Sequence, residues 1–247
     1  MDERSIAGSP IDTPFIARDG AGGVGAAPID DARALTILST EHYSLLTARS
    51  LVYNEAFARA GMFLAFLSAT LVAMGLVATA TGFSDGFLTV AAAVLTLDLF
   101  VGLASLGRIS AASGEDIRYL QGMNRLRHAY HEMVPGLDRY FVSSHFDDLD
   151  SVLSFYGPTG TSGPVQHLIH GLTTTPGMIG VICAAVSGAL GAVVALRVSH
   201  DSALGVATGV VAFIVVFLLL SVGLGLSVTR GTRGLRAHFP RTDWTDD

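Results

Sequence analysis

One acidic residue lies in the middle of a long apolar stretch. Asp98 is the only charged residue between Gly86 and Gly107. A carboxylate at the centre of a bilayer costs about 2.5–3.5 kcal/mol on insertion scales, so such residues face a bundle interior or a wet cavity. The apolar stretches contain no Lys, Arg or His, which leaves hydroxyl groups, water or a bound proton as partners. Two interpretations stay open: a residue on a cation or proton pathway, and a protonated or hydroxyl-bonded structural aspartate.

Histidines are concentrated in the middle of the chain. His128 and His131 fall near one face of a predicted helix together with Glu132, and His145 precedes two aspartates. Imidazole and carboxylate groups bind zinc, but neither HExxH nor a comparable fixed spacing is present. We expect structural or solvated histidines, with a metal-binding or pH-sensing cluster as the alternative. The five histidines of this segment are His128, His131, His145, His167 and His170.

The other reactive residues form no catalytic pattern. Gly157–Gly163 is followed by no Lys and preceded by no strand pattern, so it is not a phosphate-binding loop. The single cysteine, Cys183, permits neither an intramolecular disulfide nor a cysteine-based metal site. We therefore predict no catalytic residue, no metal and no cofactor, and a protein that is not an enzyme. A membrane enzyme that uses the His- and Asp-rich middle segment is the least favoured class.

Four apolar stretches, one of them interrupted by Asp98, are long enough to cross a bilayer, which takes about 20 apolar residues. Hydrophobic residues make up 50% of the chain and charged residues 15%, against about 25% charged in a soluble domain. The sequence therefore predicts an all-α protein with four transmembrane helices, arranged as two hairpins with cytoplasmic helical extensions. The predicted spans are about 61–83, 87–107, 175–196 and 203–228.

Arginines mark one side of these spans. The two turns on the other side carry only Arg197. Because basic flanks stay in the cytoplasm, we predict an inner (plasma) membrane protein with both termini and the middle segment cytoplasmic. The net charge of −6 argues against a nucleic-acid partner. The arginine-rich flanks carry Arg49, Arg59, Arg108, Arg118, Arg125, Arg127, Arg230, Arg233, Arg236 and Arg241.

Two amphipathic segments extend the first pair of spans. Residues 1–34 are rich in Gly and Pro, lack a signal-peptide pattern and are predicted to be a disordered tail. An amphipathic helix then starts at Ser39 or Thr40 and runs into the first span. Arg108–Val134 forms the matching helix after the second span and ends at Pro135. Pairing of the two apolar faces is the simplest way to bury them, and solvated or interface-lying helices are the alternative.

The remaining polar segments are short. Residues 135–172 are predicted to be a cytoplasmic linker with short helices, one of them capped by Ser143 or Ser144. Pro176 opens the third span, and residues 230–247 form a cytoplasmic tail. Arg230, Arg233 and Arg236 are candidate lipid anchors, because each basic residue near an anionic leaflet adds about 1 kcal/mol of attraction.

Small residues recur in the third and fourth spans. Gly205 and Gly209 form a GxxxG motif, and Gly188 and Gly191 lie in the third span. Small residues let helix backbones approach closely in lipid. These glycines are therefore candidate helix-packing residues, either within one subunit or between subunits.

Three sequence runs resemble a group of uncharacterised actinobacterial four-span integral membrane proteins. The runs are Thr36–Ser50, Asn54–Arg59 and Asp116–His128, and the resemblance covers residues 34–156. It implies a multi-pass membrane protein and supplies no activity. The helix–hairpin–helix layout is also similar to two-span SLATT-type effector domains that are proposed to perforate membranes. That second similarity is one of layout without a shared motif.

These features predict a non-enzymatic multi-pass membrane protein that self-associates, with an ion- or proton-conducting pore around Asp98 as an added role. The alternative is a structural or accessory subunit that docks a cytoplasmic or membrane partner through residues 108–156. The predicted partners are the lipid bilayer, a second copy of the chain, and a membrane or cytoplasmic protein.

Overall fold

A computed structural model describes residues 32–156 and 171–241 of the chain. In these ranges the regular secondary structure is helical and contains no strand, which confirms the predicted all-α class. The helices are α1 (Ala32–Thr81), α2 (Asp85–Met133), α3 (Leu149–Leu153), α4 (Thr175–Ser199) and α5 (Ser202–Thr232), with single 3₁₀ turns at Asp138–Tyr140 and Ser154–Tyr156.

Helices α1, α2, α4 and α5 are each long and apolar enough to cross a membrane. Most of the apolar surface of α1 and α5 is not covered by protein: Leu71 and Leu76 on α1 and Leu218 and Leu219 on α5 are all more than half exposed. Exposed apolar surface of this extent is compatible with a multi-pass membrane protein in which lipid covers these faces.

Helix α1 begins earlier than the sequence predicts. Residues from Ala32 onward are already helical, so the predicted start at Ser39 or Thr40 is wrong and the predicted disordered tail reaches too far. Both hydroxyls donate to the carbonyl of Thr36, at 3.0 and 2.7 Å, as residues inside a helix do. Residues 1–31 lie outside the described ranges. At 1.5 Å per residue, α1 is about 75 Å long.

Helices α1 and α2 pair antiparallel along almost their whole length. The turn between them contains Gly82 at a φ of 64°, and Ser84 caps α2 by accepting a hydrogen bond from the Phe87 N–H. The pairing joins the two amphipathic extensions, as the sequence predicts, whereas the two-hairpin arrangement in a bilayer stays a prediction. The facing residues are Phe63 and Gly102, Glu55 and Arg108, Arg49 and Asp116, and His42 and Tyr130.

Helix α2 is the central element, because α1, α3, α4 and α5 all pack against it. The main apolar core joins α1, α2 and α4 around Phe63, Leu106 and the free thiol of Cys183. A Cβ atom at Gly102 would lie 2.8 Å from both the Cys183 sulfur and the Phe63 ring. Glycine is therefore required where the three helices meet.

Helices α4 and α5 pack on each other through the predicted small residues. A Cβ atom at Gly209 would lie 2.9 Å from the Ala192 Cβ and from the Gly188 carbonyl oxygen, and one at Gly191 would lie 2.9 Å from the Ala212 Cβ. Gly205 also faces α4, near Leu196. Of the two arrangements that the sequence leaves open, these glycines make the contact within one chain.

The segment after α2 folds back along it. Short helices form there, as the sequence predicts, but the cap of α3 is Asp148, which accepts from the Ser151 N–H at 3.0 Å. The prediction of Ser143 or Ser144 as the cap is wrong, because the Ser144 hydroxyl instead accepts from the nearby Phe146 N–H. At α4, Thr174 is the cap and Pro176 lies in the first turn.

We call residues 32–58, 108–156 and 233–241 the polar end of the bundle.

Candidate functional site

Asp98 lies on α2 and is completely buried inside the bundle. The hydroxyl of Thr70 on α1, one of the predicted hydroxyl partners, donates to its Oδ1 at 3.3 Å. Its Oδ2 has no hydrogen-bond partner among the described residues. The carboxyl group therefore has one bonded and one bare oxygen in an apolar surrounding. Both interpretations of Asp98, as a pathway residue and as a structural residue, stay open.

Asp116 is a buried carboxylate that joins three parts of the polar end. It accepts hydrogen bonds from Arg49 and Tyr53 of α1 and from Tyr156, which follows α3. Burial and the hydrogen bond to Asp116 raise the pKa of the Tyr156 hydroxyl, which stays protonated as a donor. The Arg49 guanidinium also lies over the Phe155 ring at 4.8 Å, and this combination holds the chain after α3 against both long helices.

Sequence reasoning did not single out Asp116, although a signal was present. Ala112 and Leu120, four residues before and after it, are buried on the same face of α2. An acidic residue in the middle of an apolar helix face needs a buried cation, because an isolated charge is costly to bury. Arg49, in the adjacent amphipathic helix, supplies that cation.

Asp147 is a second buried carboxylate, and it binds the backbone of the segment that follows α5. It accepts from the backbone N–H of His238 at 2.9 Å, the N–H of Phe239 at 2.7 Å and the Arg125 guanidinium at 2.6 Å. Burial alone would raise the pKa of this carboxyl, but the two N–H groups and Arg125 outweigh burial and lower it. We call residues 233–241 the C-terminal strap.

The strap makes further contacts along α2. Gln121 and Arg125 both donate to the carbonyl of Arg236, at 3.3 and 2.6 Å. The sequence treats residues 230–247 as a plain polar tail, whereas residues 233–241 bind back onto the polar end. The candidate lipid anchors Arg233 and Arg236 have exposed side chains on this strap, and Arg230 lies in the last turns of α5.

Three of the predicted histidines come together under the strap. The His145 ring packs 5.5 Å from the His128 ring and 5.0 Å from the His131 ring, and Phe239 stacks on His128 at 4.0 Å. Burial, followed by the charges of His131 and His128, lowers the pKa of His145. Across residues 32–156 and 171–241, no group of His, Cys, Asp or Glu is arranged to hold a metal ion. His167 and His170 lie outside the described residues.

An ion-pair network marks the place where α1 and α2 pass from apolar to polar sequence. Arg108 binds Glu55 across the helix pair at 2.8 Å and Glu115 on its own helix at 2.9 Å, and Arg59 also binds Glu55. Hydrogen bonds from Arg108 and Arg59 lower the pKa of Glu55 to about 2. The charges of both acids are thereby compensated locally.

Two adjoining cavities lie beside α5 near this level. One, of about 350 Å³, is lined by α2, α4 and α5 and is partly open; the other, of about 610 Å³, is a more open cleft between α2 and α5. Ser110, Leu220, Leu224 and Ser227 line both cavities. Asp98 lines neither of them, so the buried acid and the cavities are separate features.

The arrangement favours binding over bond-making chemistry. The carboxylates of Asp116 and Asp147 are already occupied by donors from the chain itself, which leaves neither as an open base or ligand.

Comparison with known proteins gives no match: no family model, no curated protein and no solved structure matches this chain. The resemblance to actinobacterial four-span proteins stays a prediction.

Loss of the Asp147 charge should release the strap. Asp147→Asn removes a charge-assisted acceptor, worth about 1.5–3 kcal/mol per bond, so hydrogen exchange in residues 233–241 should speed up by about tenfold or more. Glu41→Gln, which neutralises an exposed carboxylate on α1, is the control and should leave this exchange unchanged. Exchange followed by mass spectrometry measures both, and equal protection of the strap in Asp147→Asn and wild type would contradict the assignment.

The hydrogen bonds to Asp147 also make the stability of the strap depend on pH. Because the folded pKa of Asp147 is lowered, its contribution is fully present above the ordinary carboxyl pKa of about 3.9 and is lost as the pH falls through the lower folded value. Protection of the strap, corrected for intrinsic exchange rates, should therefore be constant from neutral pH down to about 5 and decline only below about 4.

Proposed function

We propose that the protein is a non-enzymatic multi-pass inner-membrane protein that docks another protein onto its polar end, with that end and both termini in the cytoplasm. The orientation is supported by the arginines that flank the four apolar helices on the polar-end side. The observation that carries the docking role is a set of large apolar side chains exposed on the polar end, outside the predicted spans.

On α1, these exposed side chains form a stripe. Leu35, Leu46 and Phe57 recur every 11 residues, which is close to three helical turns, so they lie along one face. Tyr43, 70% exposed, lies one turn before Leu46 on the same side. Helix α2 covers only one face of α1, through residues such as Leu45 and Arg49. In the part of the chain that the structure describes, this apolar stripe therefore has no partner.

The segment after α2 adds a second exposed apolar group. Val134 and Tyr140 are more than half exposed, and Val142 is fully exposed. Contiguous exposed apolar surface outside a membrane is typical of protein interaction sites. The buried carboxylates Asp116 and Asp147 already accept hydrogen bonds from within the chain, so recognition here depends on the exposed apolar side chains.

The partner is a second copy of this chain or a distinct protein. The glycines that the sequence offered for self-association, among them Gly188 and Gly209, are buried against each other between α4 and α5. Self-association therefore uses the stripe on α1 and not the GxxxG motif.

A photo-crosslinker at Tyr43 tests the docking role. Replacing Tyr43 with p-benzoylphenylalanine and irradiating intact membranes should give a discrete protein adduct, at twice the chain mass for a second copy and at another mass for a distinct partner. The matched control is the same replacement at Phe83, which is 75% exposed but lies in the turn at the other end of α1. No adduct at Tyr43, or the same adducts at both positions, would contradict docking through the polar end.

Asp98 supports a second function, the binding of a proton or cation inside the membrane. Its Oδ2 is buried without a partner in the described part of the chain, and the only polar contact of Oδ1 there is Thr70. A carboxyl group with one bare oxygen in an apolar bundle is suited to take up a proton, because the neutral form is the less costly one to bury.

Flux across liposomes tests this second function. The wild-type chain should carry protons or a monovalent cation, and Asp98→Asn should reduce the flux at least about tenfold, as expected when the only intramembrane acid is removed. Thr96→Val is the control, since Thr96 lies on the same helix, is exposed and bonds only its own helix carbonyl at Ala92. Absence of flux in the wild type, or equal flux in Asp98→Asn, removes the conducting role.

A further inference from the structure

The open cleft between α2 and α5 has the build of a site for an amphipathic ligand. It has a volume of about 610 Å³. It adjoins the smaller cavity of about 350 Å³, and several residues line both. Both volumes fall in the range of about 300–1,000 Å³ that is usual for ligand sites. The cleft narrows where α2 and α5 come close together: a Cβ atom at Gly231 would lie 3.4 Å from the Gly114 Cα.

Missing side chains create the cleft. Gly107 on α2 and Gly223 on α5 line it, and a Cβ atom at either position would have no heavy atom within 4 Å. Gly225 lines the smaller cavity, and a Cβ atom there would likewise have no heavy atom within 4 Å. The apolar wall is supplied by side chains such as Leu103 and Leu220. No described residue fills this apolar surface, unlike the close-packed contact between α4 and α5.

The charge at the rim of the cleft is positive. Arg118 lines the cleft, is exposed, and forms no ion pair with any residue in the ranges 32–156 and 171–241. Glu115 lines the same cleft, but its charge is compensated by Arg108 at 2.9 Å. Within the described ranges, one guanidinium without an ion-pair partner therefore lies at the rim of an apolar cleft.

The order of these groups along α2 matches that of a membrane lipid. Leu103 lies within the apolar segment and Arg118 beyond its end, about 22 Å further along the helix. Half of a bilayer's hydrocarbon core is about 15 Å thick. The predicted span of α5 runs to residue 228, next to the contact of Gly231 with Gly114, so the cleft stays beside apolar sequence to about that level. Arg118 lies one helical turn, about 6 Å, beyond Gly114, where its side chain reaches a headgroup.

We propose that this cleft binds one anionic phospholipid of the leaflet at the polar end, with an acyl chain between α2 and α5 and the phosphate on Arg118. The proposal rests on the membrane position given under the proposed function, but not on the docking of a protein partner. Net charge favours an anionic lipid over a zwitterionic one, because the choline cation offsets the attraction of its phosphate to Arg118, and the one acid that lines the cleft, Glu115, is paired with Arg108.

Native mass spectrometry of the full-length chain, delipidated in detergent, tests the headgroup. Titration with phosphatidylglycerol should saturate at one tight site per chain, with weaker binding of phosphatidylcholine that carries the same acyl chains. Arg118→Gln should weaken phosphatidylglycerol binding about fivefold and phosphatidylcholine binding by less, so that the preference for the anionic lipid shrinks, and Arg118→Lys should retain most of the affinity. Arg139→Gln, an equal loss of charge outside the cleft, is the control.

A filled cleft tests the acyl chain. Gly223→Leu places a side chain in open space and should weaken both lipids by about tenfold, because it displaces several buried methylene groups of the ligand. Gly75→Leu, at an equally open glycine on α1, is the matched control. Circular dichroism checks each fold, and Gly107→Leu on the facing helix replaces Gly223→Leu if that variant unfolds.

Two results would overturn the lipid site. One is equal affinity of the wild type for the two lipids, and the other is wild-type binding in both Arg118→Gln and the filled-cleft variant. Resistance of the wild-type chain to release from membranes by alkaline carbonate, measured alongside, separates a failed lipid site from a failed membrane assignment. The crosslinking outcome at Tyr43 affects neither measurement.

Discussion

The antiparallel pairing of α1 with α2 is the constraint on which the rest of the structure depends. Each helix is about 75 Å long, more than twice the roughly 30 Å hydrocarbon core of a bilayer. One interface must therefore serve two surroundings. In its apolar part, the Phe63 ring closes on Gly102; in its polar part, Arg49 bonds the buried Asp116. Helices α3, α4 and α5 then pack on the α2 that this pairing has placed.

Three buried carboxylates on or beside α2 differ in the hydrogen-bond donors that they receive. Asp116 receives a guanidinium and two tyrosine hydroxyls, and Asp147 receives a guanidinium and two backbone N–H groups, so both fix the polar end in one arrangement. Asp98 receives only the Thr70 hydroxyl. Because an unpartnered polar atom is costly in an apolar interior, Asp98 is the one of the three for which a bound proton or cation supplies a clear gain. Among the described residues, the apolar stripe on α1 is a surface of the polar end that no other helix covers.

The sequence was sufficient for features that depend on local composition. Four long apolar stretches predict four apolar helices, because the length and the hydrophobicity of a segment decide whether it can cross lipid. Ser39 and Thr40 misled because a hydroxyl followed by an acid fits a helix cap as well as a helix interior, where the hydroxyl bonds the carbonyl four residues back. The strap was not predictable from periodicity, since His238 and Phe239 bind Asp147 through backbone N–H groups that every residue carries. Asp116, between Ala112 and Leu120 on one helix face, could have been found.

Cysteine labelling in intact cells tests most directly whether lipid surrounds the four apolar helices with the polar end inside. The only native thiol, Cys183, is completely buried, so single cysteines can be introduced at Thr36, on the polar end of α1, and at Ser84, in the turn between α1 and α2. With a membrane-impermeant maleimide, Ser84→Cys should react in intact cells and Thr36→Cys only after the membrane is permeabilised. Reaction of Thr36→Cys in intact cells, or equal reaction of both variants in a fraction that is soluble without detergent, would contradict the account.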